Sequence, residues 1–396
     1  MVLENNSYPR DSRVRKEAES LAGAGYSVEV IAPRGRGQRS REVIGGVVVR
    51  RLRIPDGRGT VAGTALEYLI AGPVLGVAIL ARVLSSATGT LHVHNPPDFF
   101  FPLLWIAKRR GWSTVFDHHD DAAGMFREKV PRRTGIDGLF AWMRQRSAAA
   151  AELTVCTNAT QKELLRRDAG KIAVVRNGPP VWFSECRPSP PNGSATLVFL
   201  GEIGTQDRVQ LAVEILHELR VRTPLDVRLL VVGDGPQRGH VEARARSLGV
   251  SSQVTVTGWV PYETVPTLLA SAHVGLDTAR PTEVNHGSTM IKILEYLCVG
   301  LPVVATPLRE TEATSAGAVI TVATDDVSAF VEPIRRLLTD SDTWTGAADR
   351  SRARGNELGW SAQEAELVAA YGLLNNNNLS HIHGQRKKAG GRVNGI

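Results

Sequence analysis

Asn285–Thr306 reads NHGSTMIKILEYLCVGLPVVAT, and the rest of the chain is organised around it. Residues 285–288 are small and polar and predict a loop. Ser288 or Thr289 is a good N-cap, because a side-chain oxygen there accepts from a free N–H of the first turn. Met290, Ile291, Leu294, Leu297 and Cys298 recur at helical spacing, which predicts a short amphipathic helix. Gly300 stops it, Pro302 prevents re-entry, and Val303–Ala305 is a buried strand. A loop, a helix start with free N–H groups and Lys292 in the first turn make an anion site. Glu295, one turn further on, suits the hydroxyls of a sugar. The same stretch also reads as an ordinary loop–helix–strand unit with a solvated Lys–Glu pair.

Working outward, Thr196–Gly201, Val227–Val232, Val254–Thr257 and Val274–Leu276 predict strands. They alternate with helices at Val209–Leu219, Gly239–Leu248 and Thr264–Ser271, a parallel α/β series. Beyond Val322 follow a helix over Val327–Leu338, an Arg-rich helix through Glu357 and a last helix over Gln363–Leu374. Residues 376–396 form a basic, Gly/Asn-rich tail predicted to be disordered.

The first half repeats the scheme. Met1–Leu3 resembles the end of a strand that is either short or begun further upstream. Asn5–Asp11 predicts a loop, Arg13–Gly23 a helix, and Tyr26–Ala32 and Val47–Ile54 strands. Thr90–His94 leads into Asn95-Pro96-Pro97-Asp98, and Ser113–Phe116 delivers Asp117, His118, His119 and Asp120 to the same carboxyl edge, where ligands bind in such folds. Four consecutive residues cannot all face one ion, so catalysis or oxyanion binding suits them better than a metal, with a plain polar strand end as the alternative. Pro, Ser, Asn and Gly dominate between Asn177 and Ser194, which predicts an interdomain linker.

At 396 residues the chain needs two cores of similar size. Its net charge of +7 and pI near 9.5 call for an acidic partner: a nucleotide diphosphate, anionic lipid or nucleic acid. No zinc knuckle, Walker loop or aromatic-interleaved basic run supports nucleic acid, which is ranked last. Cys156, Cys186 and Cys298 are odd in number and widely spaced, as expected of reduced thiols in the cytoplasm. Polar residues directly after Met1 argue against a signal peptide. Thr64–Leu84 is long and apolar, but Glu67, Gly72, Pro73 and Arg82 interrupt it, which predicts a buried helix pair or a surface-lying segment rather than a span.

Taken together, DSRVRKEAESLAGAGYSVEVIAP, VHNPPD, DHHD, VVRNG, VVGDGP, VTGWVP and STMIKILEYLCVGLPVVAT followed by LRET resemble the retaining nucleotide-sugar glycosyltransferases of family 4 over about residues 1–375. The resemblance implies an α/β, GT-B architecture: two Rossmann-like, doubly wound domains facing across a cleft. The expected layout is an acceptor-side domain at 1–180, a linker at 181–195 and a nucleotide-sugar domain at 196–357. The helix at 361–375 is expected to pack back on the first domain.

Carried over, Glu295 holds the nucleotide ribose, and Ser288, Thr289, Met290 and Ile291 donate backbone bonds to the diphosphate. The turn at Gly258, Trp259 and Val260 lines the base. The loop Gly201–Arg208, with Gly204 and Arg208, closes over the phosphates. His119 is the catalytic candidate, facing the donor sugar, and Asp11, Arg13 and Asp117 lie on the acceptor side. Many relatives carry a Glu eight positions before the ribose Glu; here that place is Gly287. The loop GEIGTQDRV also lacks the usual Arg and Lys, so Lys292 becomes the expected phosphate partner, with Arg208 second.

The implied reaction is hexosyl transfer from a nucleoside diphosphate sugar to an acceptor hydroxyl with retention, by front-face attack. No Asp-x-Asp metal pair stands where a metal-dependent transferase would need it, so no metal and no cofactor are expected. The expected acceptor is a polyprenyl-linked saccharide, reached in peripheral contact with the anionic inner face of the plasma membrane; a soluble acceptor is the alternative. Two rival functions remain open: a nucleotide-sugar 2-epimerase, and a non-catalytic sugar-nucleotide binding protein, which Gly287 keeps in play.

Overall fold

The computed structural model describes residues 1–4, 6–55, 61–119, 121–124, 135–223 and 225–374, with side chains from 67 onward in the helix that starts at Val61. Asp120, Asn5 and the tail at 376–396 lie outside the described residues. The chain divides into two compact units, Met1–Val175 with Glu364–Ile396, and Arg176–Gln363.

The first unit runs α1 (Ser12–Gly23), β1 (Glu29–Pro33), β2 (Arg41–Ile44), β3 (Val47–Leu52), α2 (Val61–Ser85), β4 (Thr90–His94), α3 (Phe101–Arg109), β5 (Ser113–His118), α4 (Ile136–Ala150), β6 (Leu153–Cys156), α5 (Ala159–Leu165) and β7 (Lys171–Val174). Val2 bridges β1 and β4 in parallel, its N–H donating to the His92 carbonyl at 2.9 Å and its carbonyl accepting from His94 at 3.1 Å. The strands therefore lie in the order β2-β3-β1-Val2-β4-β5-β6-β7. All pairs are parallel except β2 with β3. That hairpin, unforeseen from the sequence, turns at Gly45–Gly46, both with positive φ.

Two expectations change here. Tyr26 does not start a strand: its N–H donates to the Leu21 carbonyl beyond the end of α1, and pairing begins at Glu29. The helix pair expected over 64–84 is one helix. Ala71, Leu75, Ala78, Ile79 and Val83 bury one stripe in the core, and Pro73 lies inside the helix on its exposed face. There the carbonyl that loses its donor can turn to water, and core packing carries the helix through the proline.

The second unit adds β8 (Ser194–Leu200), α6 (Val209–Arg222), β9 (Asp226–Val232), α7 (Arg238–Ser247), β10 (Val254–Val256), α8 (Val265–Ala270), β11 (Val274–Asp277), α9 (Glu283–Gly287), α10 (Ile291–Val299), β12 (Val303–Ala305), α11 (Arg309–Ser315), β13 (Ile320–Thr321), α12 (Val327–Thr339) and α13 (Ser341–Leu358). Its strands are all parallel in the order β10-β9-β8-β11-β12-β13. Counted within the unit this is 3-2-1-4-5-6, the doubly wound order that opens a crevice where β8 and β11 part company.

The segment expected as a linker at 181–195 belongs to this unit: Phe183 is fully buried in its core and stacks near Trp182 and Tyr262, because two neighbouring aromatic rings are costly to leave in water. The helix over 360–374 carries Tyr371 into the first unit, where its hydroxyl meets His92 Nδ1 at 2.6 Å.

Helix α10 is not amphipathic. Lys292 to Val299 are all buried and only Ile291 is exposed, because α13 covers the face that would have met solvent. Gly355 makes this approach possible: a Cβ there would fall 2.3 Å from the Leu297 carbonyl oxygen. Gly355→Ala should therefore destabilise the protein by roughly 1–3 kcal/mol as overpacking, measured as a lower denaturation midpoint; an unchanged midpoint would show that α13 does not clamp α10.

Candidate active site residues

In the second unit the loops after β8 and β9 close on each other. At Gly233, φ 141°, a Cβ would lie 1.9 Å from the Gly201 carbonyl oxygen, so no other residue allows that approach. The loops bound a cavity of about 580 Å³ lined by Gly201, Glu202, Gly233, Asp234, Trp259 and Val260. Gly258 bridges Gly233, and Trp259 stands 84% exposed beside it, a free aromatic face at the cavity wall.

Helix α10 reaches the loop after β8 through Lys292, whose Cε would lie 3.4 Å from a Cβ at Gly201. Its N-cap is Met290, with no side-chain capping bond, rather than Ser288 or Thr289. Residues 285–287 are in α9, not in a loop, and Ser288 is spent on that helix, its hydroxyl donating to the Val284 carbonyl at 2.7 Å. With no cap, the amides of the first turn at Ile291 and Lys292 have no acceptor within their own helix. Tyr296 sets the helix against β8, its hydroxyl accepting from the Leu200 N–H at 2.8 Å.

Lys292 points into the β8–β11 crevice. Its Nζ is 2.8 Å from Asp207 Oδ1 and 3.6 Å from Asp277 Oδ1, and 4.3 Å from the Phe199 ring centre. Burial opposes its charge, but Asp277 and Asp207 outweigh burial and hold its pKa above the ordinary value. Arg208 is engaged elsewhere, at 2.7 Å to Asp325 Oδ2 and 3.1 Å to the Thr278 carbonyl. It caps α6 in the left-handed region, φ 47°. Gly204 lies on the same loop, beside Asp207, and Glu295 is buried on α10.

In the first unit, Asp117 near the end of β5 faces Arg13 of α1, and His119, the first residue past the strand, lies beside Asp117, while His118 turns to the other side near Arg144. Arg13 Nε and Nη2 donate to the two Asp117 oxygens at 2.8 and 3.0 Å, and Nη1 to the Val175 carbonyl at 2.9 Å. His94 Nδ1 is 3.0 Å from Asp117 Oδ2, and His119 Nδ1 is 3.7 Å from Oδ1. The His119 N–H donates to Asn95 Oδ1 at 2.8 Å.

Arg13 and Asp117 are thus buried rather than presented to an acceptor, at 4% and 0% exposure; each is satisfied by the other's charge. Asp11 is the N-cap of α1, accepting from the Val14 N–H at 2.9 Å. Residues that sequence reasoning passed over complete both clusters: Asp207 and Asp277 in one, Glu17, His92 and His94 in the other. The signals were present, since Asp277 ends an apolar strand and His92 and His94 alternate along another, but neither names its partner.

Glu17, His92, His94 and Asp117 place one donor atom each within 4.8 Å of the others. The Arg13 guanidinium already occupies the centre of this group, 2.8 Å from Asp117 and 3.0 Å from Glu17, so a divalent cation would sit against a fixed positive charge. Burial drives Glu17 well above the usual carboxylate range, Arg13 opposing and Asp117 reinforcing. Burial alone would raise Asp117 too, but Arg13 and the two imidazoles hold it well below. The group is a buried ion-pair network balanced by arginine.

Two family models match the chain: a glycosyl transferase 4-like domain over residues 11–178 and a glycosyl transferases group 1 domain over 194–340. The two halves are glycosyltransferase domains. The fold is that of GT-B glycosyltransferases, similar to sucrose-phosphate synthase from Thermosynechococcus elongatus, with TM-score 0.72 and 17% identity over 94% of this chain and 95% of that one. Anabaena HepE in complex with UDP is also similar, with TM-score 0.68 and 12% identity over 94% and 98%. In sequence, one component of the Arabidopsis thaliana phosphatidylinositol N-acetylglucosaminyltransferase is 26% identical over 58% of this chain and 48% of its own length. The chain spans half or less of the length of the curated relatives it matches.

Near His119 in the first glycosyltransferase domain, Asp98 is buried and accepts from Asn95 Nδ2 at 3.2 Å. Burial pushes its pKa up to about 7, with the Asn95 bond and Arg144 opposing. A carboxyl raised in the folded state stabilises below its unfolded pKa, and that contribution fades as pH rises to about 7. The thermal midpoint should accordingly fall between about pH 4 and 7, and Asp98→Asn should flatten that fall; an unaltered slope would show that Asp98 does not titrate there.

Proposed function

We propose that the chain transfers a hexosyl unit from a nucleoside diphosphate sugar to an acceptor hydroxyl, with retention and without a metal ion. The observation that carries this reading is the uncapped start of α10, with buried Lys292 in its first turn lying against Gly201, which lines a cavity walled by Trp259 and Val260. A base fits against the exposed indole, Glu295 takes the ribose, and the diphosphate reaches the free amides of α10. Charge grows on the diphosphate as the glycosyl bond breaks, so a helix start and a fixed cation favour the transition state over the ground state. The UDP-bound neighbour of the same fold supports a nucleotide donor.

Lys292 faces two carboxylates before any donor arrives. Asp277 is fixed on a strand, whereas Asp207 is on the loop after β8. A phosphate oxygen therefore competes with Asp207, and the loop gives way while Asp277 keeps Lys292 charged. Arg208 follows the same loop. In the first unit, His119 is the group assigned to the donor sugar.

For the acceptor, a saccharide carried on a polyprenyl lipid at an anionic membrane suits the outer face of α2, α3 and α4. Leu69, Val77, Leu84, Trp105, Leu139 and Trp142 are exposed there. Arg109 lies 3.6 Å over the Trp105 ring and Arg146 5.6 Å from that of Trp142. Aromatic rings with adjacent arginines match the headgroup level of a bilayer.

Incubation with a panel of nucleotide sugars, followed by NMR of the products, should show transfer or slow hydrolysis with the anomeric configuration kept. An inverted product or an epimerised nucleotide would sink the assignment. Lys292→Met should lower kcat/KM at least about 100-fold, and a near-wild-type rate would take Lys292 out of the donor site. Separately, the protein should sediment with anionic but not neutral liposomes at low salt, and a Trp105→Ala, Trp142→Ala double variant should lose this; equal sedimentation of the two would remove the membrane surface from the proposal.

A further inference from the structure

The geometry around β5 points to Asp117 as the positioning residue for His119: we infer that it faces the ring at Nδ1 and so presents Nε2, as a hydrogen-bond acceptor, to the substrate. This rests on the proposed role of His119, but its own evidence is separate.

Asp117 is the last strand residue but one of β5 and His119 the first residue beyond it, and their side chains lie close together. Asp117 Oδ1 lies 3.7 Å from His119 Nδ1, an ion-pair distance that needs only a small shift to become a hydrogen bond. The carboxylate itself cannot drift. Arg13 holds both of its oxygens, and His94 holds Oδ2 from the side at 3.0 Å. The other end of His119 is fixed too, by its N–H on Asn95. A ring anchored at the backbone and faced by a clamped carboxylate has one favoured tautomer, with the proton on Nδ1.

A second feature concerns charge. Arg13 and Asp117 cancel each other, and Glu17, 3.0 Å from Arg13, would restore a net negative charge if it ionised. Burial instead raises the Glu17 pKa well above the usual carboxylate range and lowers those of His92 and His94. Asp117, held well below that range by Arg13, is the carboxylate 3.7 Å from the His119 ring. Other titratable groups facing this region are Asp11 on the α1 side, Asp98 after β4 and Cys156 on β6. On the far side of the strand His118 meets Arg144 and Asp121. Asp117 differs from these in lying at ion-pair distance from the His119 ring.

A structural ion pair alone would give α1 its anchor but would not act on the imidazole, and that difference can be measured. Histidine side-chain nitrogen NMR on the full chain, with the His119 signal assigned by its loss in His119→Gln, reads tautomer and pKa directly. The wild-type ring should carry its neutral proton on Nδ1. In Asp117→Asn the Nε2–H form should grow and the ring pKa should drop by about one unit. Transfer kinetics should follow, with kcat down about 10–100-fold, KM for the donor within about twofold, and the acid limb of the pH–rate profile moved by the same amount as the ring pKa.

Should the lone substitution leave Arg13 too poorly balanced to fold, Arg13→Met with Asp117→Asn removes both charges and tests the same two readouts. An unchanged tautomer and ring pKa in either variant would overturn the inference, as would a rate loss with an unmoved pH profile. A fully active His119→Gln would instead remove His119 from the proposed reaction, while the NMR result still decides what Asp117 does to the ring.

Discussion

Parallel strand pairing is the constraint from which the rest follows. Strands that all run the same way deliver all their carboxyl ends to one edge, and each must be followed by a loop and a return helix. In the second unit this brings together the loop after β8, Asp277 at the end of β11 and the start of α10. In the first it brings Asp117 and His119 to the end of β5, next to the loop that follows β4. Polar side chains cannot be spread through sheets whose two faces are covered by helices, so they accumulate where the strands stop.

Each accumulation then has to be balanced. A lone charge with the burial of Asp117 or Asp277, both fully inaccessible, would cost several kcal/mol. The first unit meets this with a bidentate arginine and a glutamate whose pKa burial raises. The second sets one lysine between two carboxylates. Buried pairs of this kind are weak devices for stability, since apolar side chains would fill the space as well. Their value lies in geometry: fixed charges at known places that need little rearrangement when a charged ligand arrives.

The two hubs differ in what they leave available. Around Asp117 nearly every charge is matched within the cluster, and the influence that remains is exerted on the neighbouring imidazole. Around Lys292 the excess is negative and one of its carboxylates stands on a loop, so the cluster can exchange a partner. One arrangement suits orientation and the other suits exchange with an anion.

The alternation of strands and helices, the helix over residues 291–299 and its stop at Gly300 and Pro302 were legible in the sequence, because periodicity and helix ends depend on residues a few positions apart. Where competition for a group decided the outcome, the sequence misled: Ser288 spends its hydroxyl on Val284 instead of capping α10, and packing carries α2 through Pro73. The amphipathic character expected of α10 vanished because α13, far along the chain, covers its outer face. Most of all, Arg13 and Asp117 are separated by 104 positions, as Lys292 and Asp207 are by 85. The sequence by itself determined which residues carry charge and which local elements hold them. Only the tertiary structure decided that Arg13 and Asp117 face each other rather than an acceptor, because a buried charge is assigned its partner by chain packing across the sheet and not by its neighbours along the chain.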